Sequence, residues 1–189
     1  MLDKYYFGKV DRISPEAPVP IVNIQKEESR LGGASNVANN IVSLGGHSLL
    51  CGVIGHDLFG KEIERISRHK NIDTFLLKTS SPTITKARII GGKQQIVRVD
   101  YEDKSELNAD NKKLFRDTIS RILPEYDILV ISDYGKGLIS EDLCRYLIKL
   151  AHKYDKKVII DPKGKNWEKY SGADIVTPNV KELSDIVGY

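Results

Sequence analysis

The sequence has few cysteines, no long hydrophobic run and no block of one charge sign, and each absence excludes a class of protein. Its two cysteines, Cys51 and Cys144, lie far apart among apolar neighbours without Cys or His at metal-ligand spacing, which predicts buried free thiols in a reducing compartment. The apolar runs have the length of strands, too short to cross a bilayer. Asp3 and Lys4 interrupt the segment where a signal peptide needs an apolar core. We therefore expect a cytoplasmic protein with no membrane partner.

Positive and negative charges are interleaved along the chain. The 29 Lys and Arg residues and 26 Asp and Glu residues leave a net charge of +3. Because no long stretch carries one sign, the charge pattern argues against a nucleic-acid partner. A mildly basic protein suits anionic small molecules instead. The 189 residues, 40% of them hydrophobic, are enough for one domain with a sizeable core.

Alternating strand-like and helix-like segments predict an α/β fold with a mostly parallel sheet and flanking helices. The predicted strands are residues 48–54, 128–132, 157–160 and 175–177. The predicted helices are residues 33–44, 58–68, 111–123 and 141–154, with Asp110 and Ser140 as N-caps of the last two and Pro124 ending the third.

Two segments do not join this alternation. Residues 19–24 form a short predicted strand, and residues 84–100 form a predicted β-hairpin with Gly91 and Gly92 near its turn. Together they predict a small separate sheet, a polar-faced lid over approximately residues 17–26 and 83–101 that could close over a substrate. In the alternative interpretation the hairpin only covers a sheet edge.

Gly32 and Gly33 separate a strand-like segment from a helix-like one. Glycine tolerates positive φ and lets a ligand approach the backbone, and the first turn of the next helix has amide N–H groups without internal partners. Asn36 adds an amide that both donates and accepts hydrogen bonds, so the segment suits sugar hydroxyls. The alternative is a strand-to-helix turn without a ligand.

Polar side chains follow three of the predicted strands, where ligands bind in parallel α/β sheets. Carboxylates, ammonium groups and glycine-rich backbone at such an edge could hold a phosphorylated ligand together with a divalent cation. These side chains belong to Asp133, Lys136, Asp161, Lys163, Asn179 and Glu182.

Asn179 and Glu182 have i, i+3 spacing at a predicted helix start, so both can face one point and hold Mg²⁺ through water. The same spacing is typical of a helix capping box. Asp161 and Asp133 likewise have structural alternatives, as a turn residue and a cap. Lys136 and Lys163 are stronger functional candidates because each follows a buried strand beside a glycine.

Several motifs together resemble the ribokinase-like (PfkB) carbohydrate kinases over essentially the whole chain. The Gly-Gly-Ala-Ser-Asn segment at residues 32–36 resembles the broad family. The Ser-Pro-Glu-Ala-Pro-Val-Pro run at residues 14–20 and the Asp-Tyr-Gly-Lys-Gly segment at residues 133–137 resemble its heptose 7-phosphate kinase branch. Further similar segments are residues 82–86, 94–100, 161–164 and 177–179.

The resemblance implies a ribokinase-like fold and an enzyme that uses ATP as co-substrate and Mg²⁺ as cofactor. The implied reaction phosphorylates the anomeric hydroxyl of D-glycero-β-D-manno-heptose 7-phosphate in lipopolysaccharide core biosynthesis. Two alternatives stay open: another sugar of the same family, such as fructose 6-phosphate or ribose, and a non-catalytic module that binds sugar phosphates.

The resemblance also implies roles for individual residues. Asp3, Gly32, Gly33 and Asn36 resemble the residues of the family that hold the sugar. Asn179 and Glu182 match its N-x-x-E motif, which organises the transferring phosphate and Mg²⁺, with Glu182 on the metal through water. Further implied substrate-binding residues, mostly candidates for the phosphate of the substrate, are Lys86, Arg88, Gln95, Arg98, Asp133 and Lys163.

The sequence departs from the family pattern in two places. Family members have a β-strand and a Gly-Asp pair ahead of the segment that matches Met1. Their Gly-Ala-Gly-Asp loop, which supplies the catalytic base and an anion hole, has no counterpart here, nor does most of the ATP-binding region. We therefore expect residues 1–189 to be a partial kinase domain, incomplete at both ends, with no catalytic residue and little activity alone. The family often dimerises through the lid sheet, so a homodimer is a further expectation.

Overall fold

The computed structural model describes residues 1–103 and 105–188. The chain divides into two compact units, Met1–Asp103 and Lys104–Tyr189. Both contain strands and helices, which confirms the predicted α/β class. The helices and strands of the first unit are β1 (Leu2–Ile13), β2 (Pro20–Leu31), α1 (Ala34–Ser43), β3 (Leu49–Gly55), α2 (Leu58–His69), β4 (Asp73–Thr79), β5 (Thr85–Gly91) and β6 (Gln94–Tyr101).

The segments predicted to form a lid lie in a four-stranded sheet with the strand order β2-β1-β5-β6, which we call the lid sheet. Its action as a lid stays a prediction. The β5–β6 hairpin lies where it was predicted, and Gly92 in its turn has a φ of 63°. Strand β1 was not predicted, because its charged residues interrupt the alternation of apolar and polar positions. It forms because it lies in the interior of the sheet, with backbone hydrogen bonds to β2 on one side and to β5 on the other.

Strand β2 extends seven residues beyond the predicted end at Ile24. The added residues are mostly polar, and their pairing with Leu2–Phe7 of β1 holds them in the sheet. The lid is therefore larger than the sequence indicated, because pairing with distant strands outweighs local propensity.

The rest of the first unit is a parallel pair of strands with two helices. Strands β3 and β4 pair in parallel, from Leu49 opposite Asp73 to Gly55 opposite Thr79. Strand β4 was not predicted, since its seven residues have no clear alternation. A hydrophobic core joins these elements to the start of the lid sheet and contains Leu2, Leu31, Ala38, Leu50, Ile54, Ile63, Ile66 and Ile72.

The second unit contains a parallel sheet with the strand order β7-β8-β9. Its elements are α3 (Ala109–Ile122), β7 (Ile128–Ser132), α4 (Glu141–Lys153), β8 (Lys157–Asp161), β9 (Ile175–Val176) and α5 (Val180–Val187), with short 3₁₀ turns at Leu123–Glu125 and Glu168–Tyr170. These elements confirm the predicted alternation.

The N-cap prediction for α3 was wrong by two residues. Asn108 is the N-cap, and its Oδ1 accepts a hydrogen bond of 2.8 Å from the backbone N–H of Asn111, so Asp110 lies inside the first turn. Ser140 is the N-cap of α4, as predicted.

Both cysteines are free, as expected. Burial raises the pKa of the Cys51 thiol to about 12 and that of Cys144 to about 11, so both thiols stay protonated at neutral pH. Across residues 1–103 and 105–188, no helix combines the length and the apolar composition that spanning a membrane requires.

Candidate functional site

Gly32 lies directly against the carboxylate of Asp3 in the first unit. A Cβ atom on residue 32 would stand 2.2 Å from Asp3 Oδ2, so only glycine leaves room for that carboxylate. The other oxygen of Asp3 accepts a hydrogen bond of 2.6 Å from Arg88 Nη1. The two side chains keep 18% and 21% of their surface exposed, so they are shielded by the fold and still reachable by a ligand.

Gly33 starts helix α1 with a backbone that other residues avoid. Its φ of 58° and ψ of −136° lie in a region that essentially only glycine adopts. Buried Ser35 fastens this turn to the start of β1, since its hydroxyl lies 2.7 Å from the carbonyl of Gly32 and 3.0 Å from that of Met1. Asn36 follows in the first turn of α1, where it is exposed. Glycine is therefore needed at residues 32 and 33 for different structural reasons.

The predicted polar residues of the lid share one face of the sheet. Strand pairing places Asp3, Lys86 and Asp100 side by side across β1, β5 and β6. Two residues further along lie Tyr5, Arg88 and Arg98 on the same face, and Gln95 follows them, exposed, near the turn of the hairpin. The register therefore brings together five residues that the sequence analysis singled out: Asp3, Lys86, Arg88, Gln95 and Arg98.

Asp100 connects two of the basic residues on this face. It accepts hydrogen bonds of 3.0 Å from Lys86 Nζ and 2.9 Å from Arg98 Nε. The hydrogen bond from Lys86, followed by that from Arg98, holds the pKa of Asp100 below its usual value. The carboxylate thus stays ionised and orients both cations on the sheet.

Sequence reasoning missed Tyr5 and Arg30 on this face. The guanidinium carbons of Arg30 and Arg88 lie 4.9 Å and 5.2 Å from the centroid of the Tyr5 ring, which are cation–π distances. Both residues were missed because strand β1 was not predicted. Without that strand, Tyr5 could not be given neighbours on a sheet.

In the second unit, Asp133 follows strand β7 and is 3% exposed. Its Oδ1 accepts a hydrogen bond of 2.7 Å from the backbone N–H of Gly135. Its Oδ2 accepts one of 2.6 Å from Lys169 Nζ and one of 2.8 Å from the hydroxyl of Tyr170. Lys169 and Tyr170 carried no signal in the sequence, since neither follows a strand directly. The role of Asp133 as a substrate ligand stays a prediction.

Asn179 and Glu182 form a capping box at the start of α5. The backbone N–H of Glu182 donates to Asn179 Oδ1 at 2.9 Å, and the backbone N–H of Asn179 donates to Glu182 Oε2 at 3.0 Å. The structural alternative for this pair is therefore confirmed. Lys163 Nζ donates to the other oxygen, Oε1, at 3.0 Å. The hydrogen bond from Asn179, then that from Lys163, lowers the pKa of Glu182, which keeps it ionised.

The carboxylates beside this box fit a divalent cation that keeps its water ligands. Asp161 ends strand β8, and burial, together with the charge of Glu182, raises its pKa. Within residues 1–103 and 105–188, no three His, Cys, Asp or Glu side chains converge closely enough to hold a metal alone. Mg²⁺ typically uses one or two carboxylates and completes its shell with water and phosphate oxygens. The two carboxylates of Asp161 and Glu182 are consistent with this coordination preference.

The chain belongs to the pfkB family of carbohydrate kinases, whose model matches residues 5–189. It is 47% identical over 183 residues to the bifunctional protein HldE of Helicobacter pylori strain P12, covering 96% of this chain and 40% of that protein. It is 44% identical over 189 residues to the D-beta-D-heptose 7-phosphate kinase of Bordetella bronchiseptica, covering all of this chain and 59% of that protein. The chain thus spans less than two thirds of the length of each of these relatives.

Solved structures show the same fold. Phosphofructokinase-2 of Escherichia coli in complex with fructose-6-phosphate superposes with a TM-score of 0.73 at 22% identity, over 99% of this chain and 61% of that one. A putative phosphofructokinase of Staphylococcus aureus gives a TM-score of 0.76 at 16% identity, over 97% of this chain and 57% of that one. These comparisons confirm the ribokinase-like fold.

Proposed function

We propose that this chain is the sugar-binding and magnesium-organising part of a kinase for D-glycero-β-D-manno-heptose 7-phosphate. The reaction transfers the γ-phosphoryl group of ATP to the anomeric hydroxyl, giving the 1,7-bisphosphate and ADP, in lipopolysaccharide core biosynthesis. The observation that carries the proposal is the contact of the Asp3 carboxylate with Gly32, backed by Arg88. The identity of 44–47% to relatives named HldE and heptose 7-phosphate kinase supports this choice of sugar.

Asp3 would accept hydrogen bonds from sugar hydroxyls. Its ionised carboxylate can accept from several donors, and Arg88 fixes its orientation before the sugar arrives. Gly32 and Gly33 would let the sugar lie close to the backbone, with the amide of Asn36 at the edge. Preorganisation of this kind lowers the entropic cost of binding.

The same face of the lid would bind the phosphate of the substrate. Around Tyr5 it carries the cations Lys26, Arg30, Lys86, Arg88 and Arg98 and the carboxylates of Asp3, Glu28 and Asp100, and Lys9 adds a further cation along β1. Cations therefore outnumber carboxylates on this face, which suits a phosphate group. Arginine recognises phosphate through paired N–H groups, and Gln95 offers a neutral donor nearby.

In the second unit, Asn179 and Glu182 would organise the transferring phosphate. Glu182 and Asp161 would bind Mg²⁺ through water molecules. Bound Mg²⁺ would neutralise the charge that develops on the phosphoryl oxygens. Lys163 would bind a phosphate oxygen, since its ammonium is half exposed beside Glu182. Because the reaction consumes ATP, we place the protein in the cytoplasm.

We further propose that a second copy of the chain covers an apolar patch on the lid. Val10, Ile24, Val97 and Val99 lie on the face opposite Asp3 and are 39–44% exposed. Exposed apolar residues grouped on one face are typical of an association surface. Phosphofructokinase-2 of Escherichia coli, which has a related fold, is a tetramer in its inhibited form.

Ligand binding to the chain tests the sugar-binding proposal. Isothermal titration calorimetry should give saturable binding of the heptose 7-phosphate, about tenfold tighter than of ribose 5-phosphate or inorganic phosphate. Asp3→Asn should weaken heptose phosphate binding about tenfold or more, because a charge-assisted hydrogen bond is lost. Asp11→Asn, the same change at an exposed position of β1, should have no effect. Equal affinities of the Asp3 and Asp11 variants would contradict the proposal.

A chimera tests the chemistry. This chain would replace the matched 59% of the Bordetella bronchiseptica kinase, and ADP release would be followed in a coupled assay. We expect turnover that depends on the heptose 7-phosphate and that drops about a hundredfold or more with Asp3→Asn. A folded chimera that accepts fructose 6-phosphate equally well would favour another sugar of the family.

A further inference from the structure

A buried polar network lies at the carboxyl ends of β7 and β8, and sugar binding alone does not explain it. Its members are Asp133, Lys169 and Tyr170. Asp133 and Tyr170 are each 3% exposed, and the Lys169 side chain is 15% exposed. Burying a carboxylate is costly unless it is paired and hydrogen-bonded. A buried ion pair of this kind is weak evidence for a gain in overall stability, because desolvation offsets much of its attraction.

The hydroxyl of Tyr170 joins two loops. It accepts a hydrogen bond of 2.9 Å from the backbone N–H of Lys163. Its own proton has two acceptors within reach, Asp133 Oδ2 at 2.8 Å and the carbonyl of Lys163 at 3.1 Å, of which the carboxylate is the closer. Burial, which is the main cause, and the neighbouring Asp133 carboxylate raise the pKa of Tyr170 well above its usual value. The hydroxyl therefore keeps its proton and remains a donor to Asp133.

Lys169 completes the arrangement. Its ammonium lies 2.6 Å from the same Asp133 oxygen and 4.9 Å from the centroid of the Tyr170 ring. It thus neutralises the buried carboxylate and packs on the ring that carries the hydroxyl. Tyr170 is therefore held at its hydroxyl by Asp133 and at its ring by Lys169.

Only the backbone of Lys163 is held by this network. Its side chain is 51% exposed and extends to Glu182, with 3.0 Å between Nζ and Oε1. Gly164 follows with a φ of 81°, so the chain turns sharply after the anchored amide. A fixed backbone and an exposed ammonium are the features expected of a residue that presents a cation to an anionic ligand.

We propose that Tyr170, oriented by Asp133 and Lys169, is a positioning residue that holds Lys163 beside Glu182 for contact with a phosphate group. Asp133 then acts through Tyr170 in place of the direct substrate contact that the sequence suggested. The inference rests on the proposed function only in naming phosphate as the ligand.

Hydrogen exchange of the Lys163 backbone amide, followed by NMR, tests the positioning role without any ligand. In Tyr170→Phe the Lys163 amide loses its acceptor, so its exchange should become about tenfold faster or more. Tyr146→Phe is the matched control, because it also removes a partly buried hydroxyl, here one paired with Ser120. It should leave the exchange of the Lys163 amide unchanged.

Inorganic phosphate, titrated by calorimetry, supplies the second measurement. Tyr170→Phe and Lys163→Ala should weaken phosphate binding by similar factors of about three to ten, and Tyr146→Phe should not. Because Tyr170 acts through Lys163, Tyr170→Phe should cause no further loss in the Lys163→Ala background. If the wild-type chain binds no phosphate, the phosphate role of Lys163 in the proposed function fails, whereas the exchange of the Lys163 amide still decides the positioning role.

An unchanged exchange rate of the Lys163 amide in folded Tyr170→Phe would overturn the inference. Should that variant not fold, Asp133→Asn serves instead. It keeps an oxygen that accepts from Tyr170 but removes the charge that holds Lys169, so the Lys163 amide should again exchange faster than in wild type. An exchange rate that stays at its wild-type value in folded Asp133→Asn would equally overturn the inference.

Discussion

At the scale of the residue, the most informative contact is the one between Gly32 and Asp3. The sequence motif marks both glycines, but the structure separates their roles. Gly33 needs its unusual backbone angles, whereas Gly32 needs to lack a side chain, because a carboxylate occupies the space where Cβ would be. Substituting Gly33 would therefore strain the backbone, whereas substituting Gly32 would displace the Asp3 carboxylate.

Gly32→Ala should displace the Asp3 carboxylate and loosen its pairing with Arg88. We expect the affinity for heptose 7-phosphate, measured by calorimetry, to fall about tenfold or more. Gly52→Ala is the matched control, because its Cβ would stand 3.7 Å from Leu76 Cδ2, an ordinary contact. Equal affinities of the two variants would show that the Asp3 position does not matter for binding.

Asp161 predicts a dependence of stability on pH. Burial and the charge of Glu182 raise its pKa in the folded state above the unfolded value of 3.8, so ionised Asp161 destabilises the fold. This destabilisation is absent below pH 3.8. It develops as the pH rises toward the folded-state pKa of Asp161, and it is complete above that pKa. Asp161→Asn should therefore raise the free energy of unfolding at pH 7, and the gain should vanish as the pH falls to 3.8. Urea denaturation at several pH values measures this difference.

Asp174→Asn is the control of opposite sign. Asp174 accepts hydrogen bonds from Lys157 Nζ at 2.8 Å and from the backbone N–H of Val158 at 2.9 Å, and these hold its pKa far below the usual value. Its stabilising effect is present above the unfolded pKa and is lost as the pH falls through the folded one. The variant should be less stable than wild type at pH 7. A stability loss from Asp161→Asn at pH 7 would contradict the argument.

At the scale of the element, Asp57 connects helix α2 to Thr83, which lies just before strand β5 of the lid sheet. Its Oδ1 caps the helix through the backbone N–H of Gly60 at 2.8 Å, and its Oδ2 accepts from the backbone N–H of Thr83 at 2.7 Å. Thr83 is 1% exposed, and its hydroxyl in turn accepts from the backbone N–H of Gly55. One carboxylate thus joins the end of β3, the start of α2 and the approach to the lid.

Asp57→Ala should cost more stability than the loss of a helix cap. It removes the cap and leaves the buried Thr83 amide without its acceptor, so we expect a loss of about 2–4 kcal/mol in urea denaturation. Asn108→Ala, which removes the exposed cap of α3, should cost about 1 kcal/mol. Similar losses in the two variants would mean that the Thr83 amide finds another partner.

At the scale of the whole molecule, self-association through the lid is the property to test. Val97→Lys places a charge in the apolar patch and should weaken the dimer about tenfold or more in sedimentation equilibrium, because desolvating a lysine at an interface is unfavourable. Leu44→Lys is the control, since Leu44 is 89% exposed at the C-terminal end of α1 and is not part of the lid sheet. A wild-type chain that stays monomeric at high concentration would refute the proposed dimer.

The alternating elements of the second unit could be predicted from the sequence because each depends on neighbours in the chain. The capping box of Asn179 and Glu182 is an example, since both hydrogen bonds join residues three apart. Strand β1 could not be predicted in this way. Its hydrogen bonds are to β2 and β5, and the latter is more than 80 residues further along the chain.

The sequence by itself determined the family, the alternation of strands and helices, and most residues of the candidate site, because motifs and periodicity are local properties. The tertiary structure decided which of these residues meet. The ion pair of Asp3 with Arg88 spans 85 positions, and the hydrogen bond of Tyr170 to Asp133 spans 37. Such contacts depend on strand register and loop packing, which no local pattern contains, and they turn separate polar residues into a preorganised site.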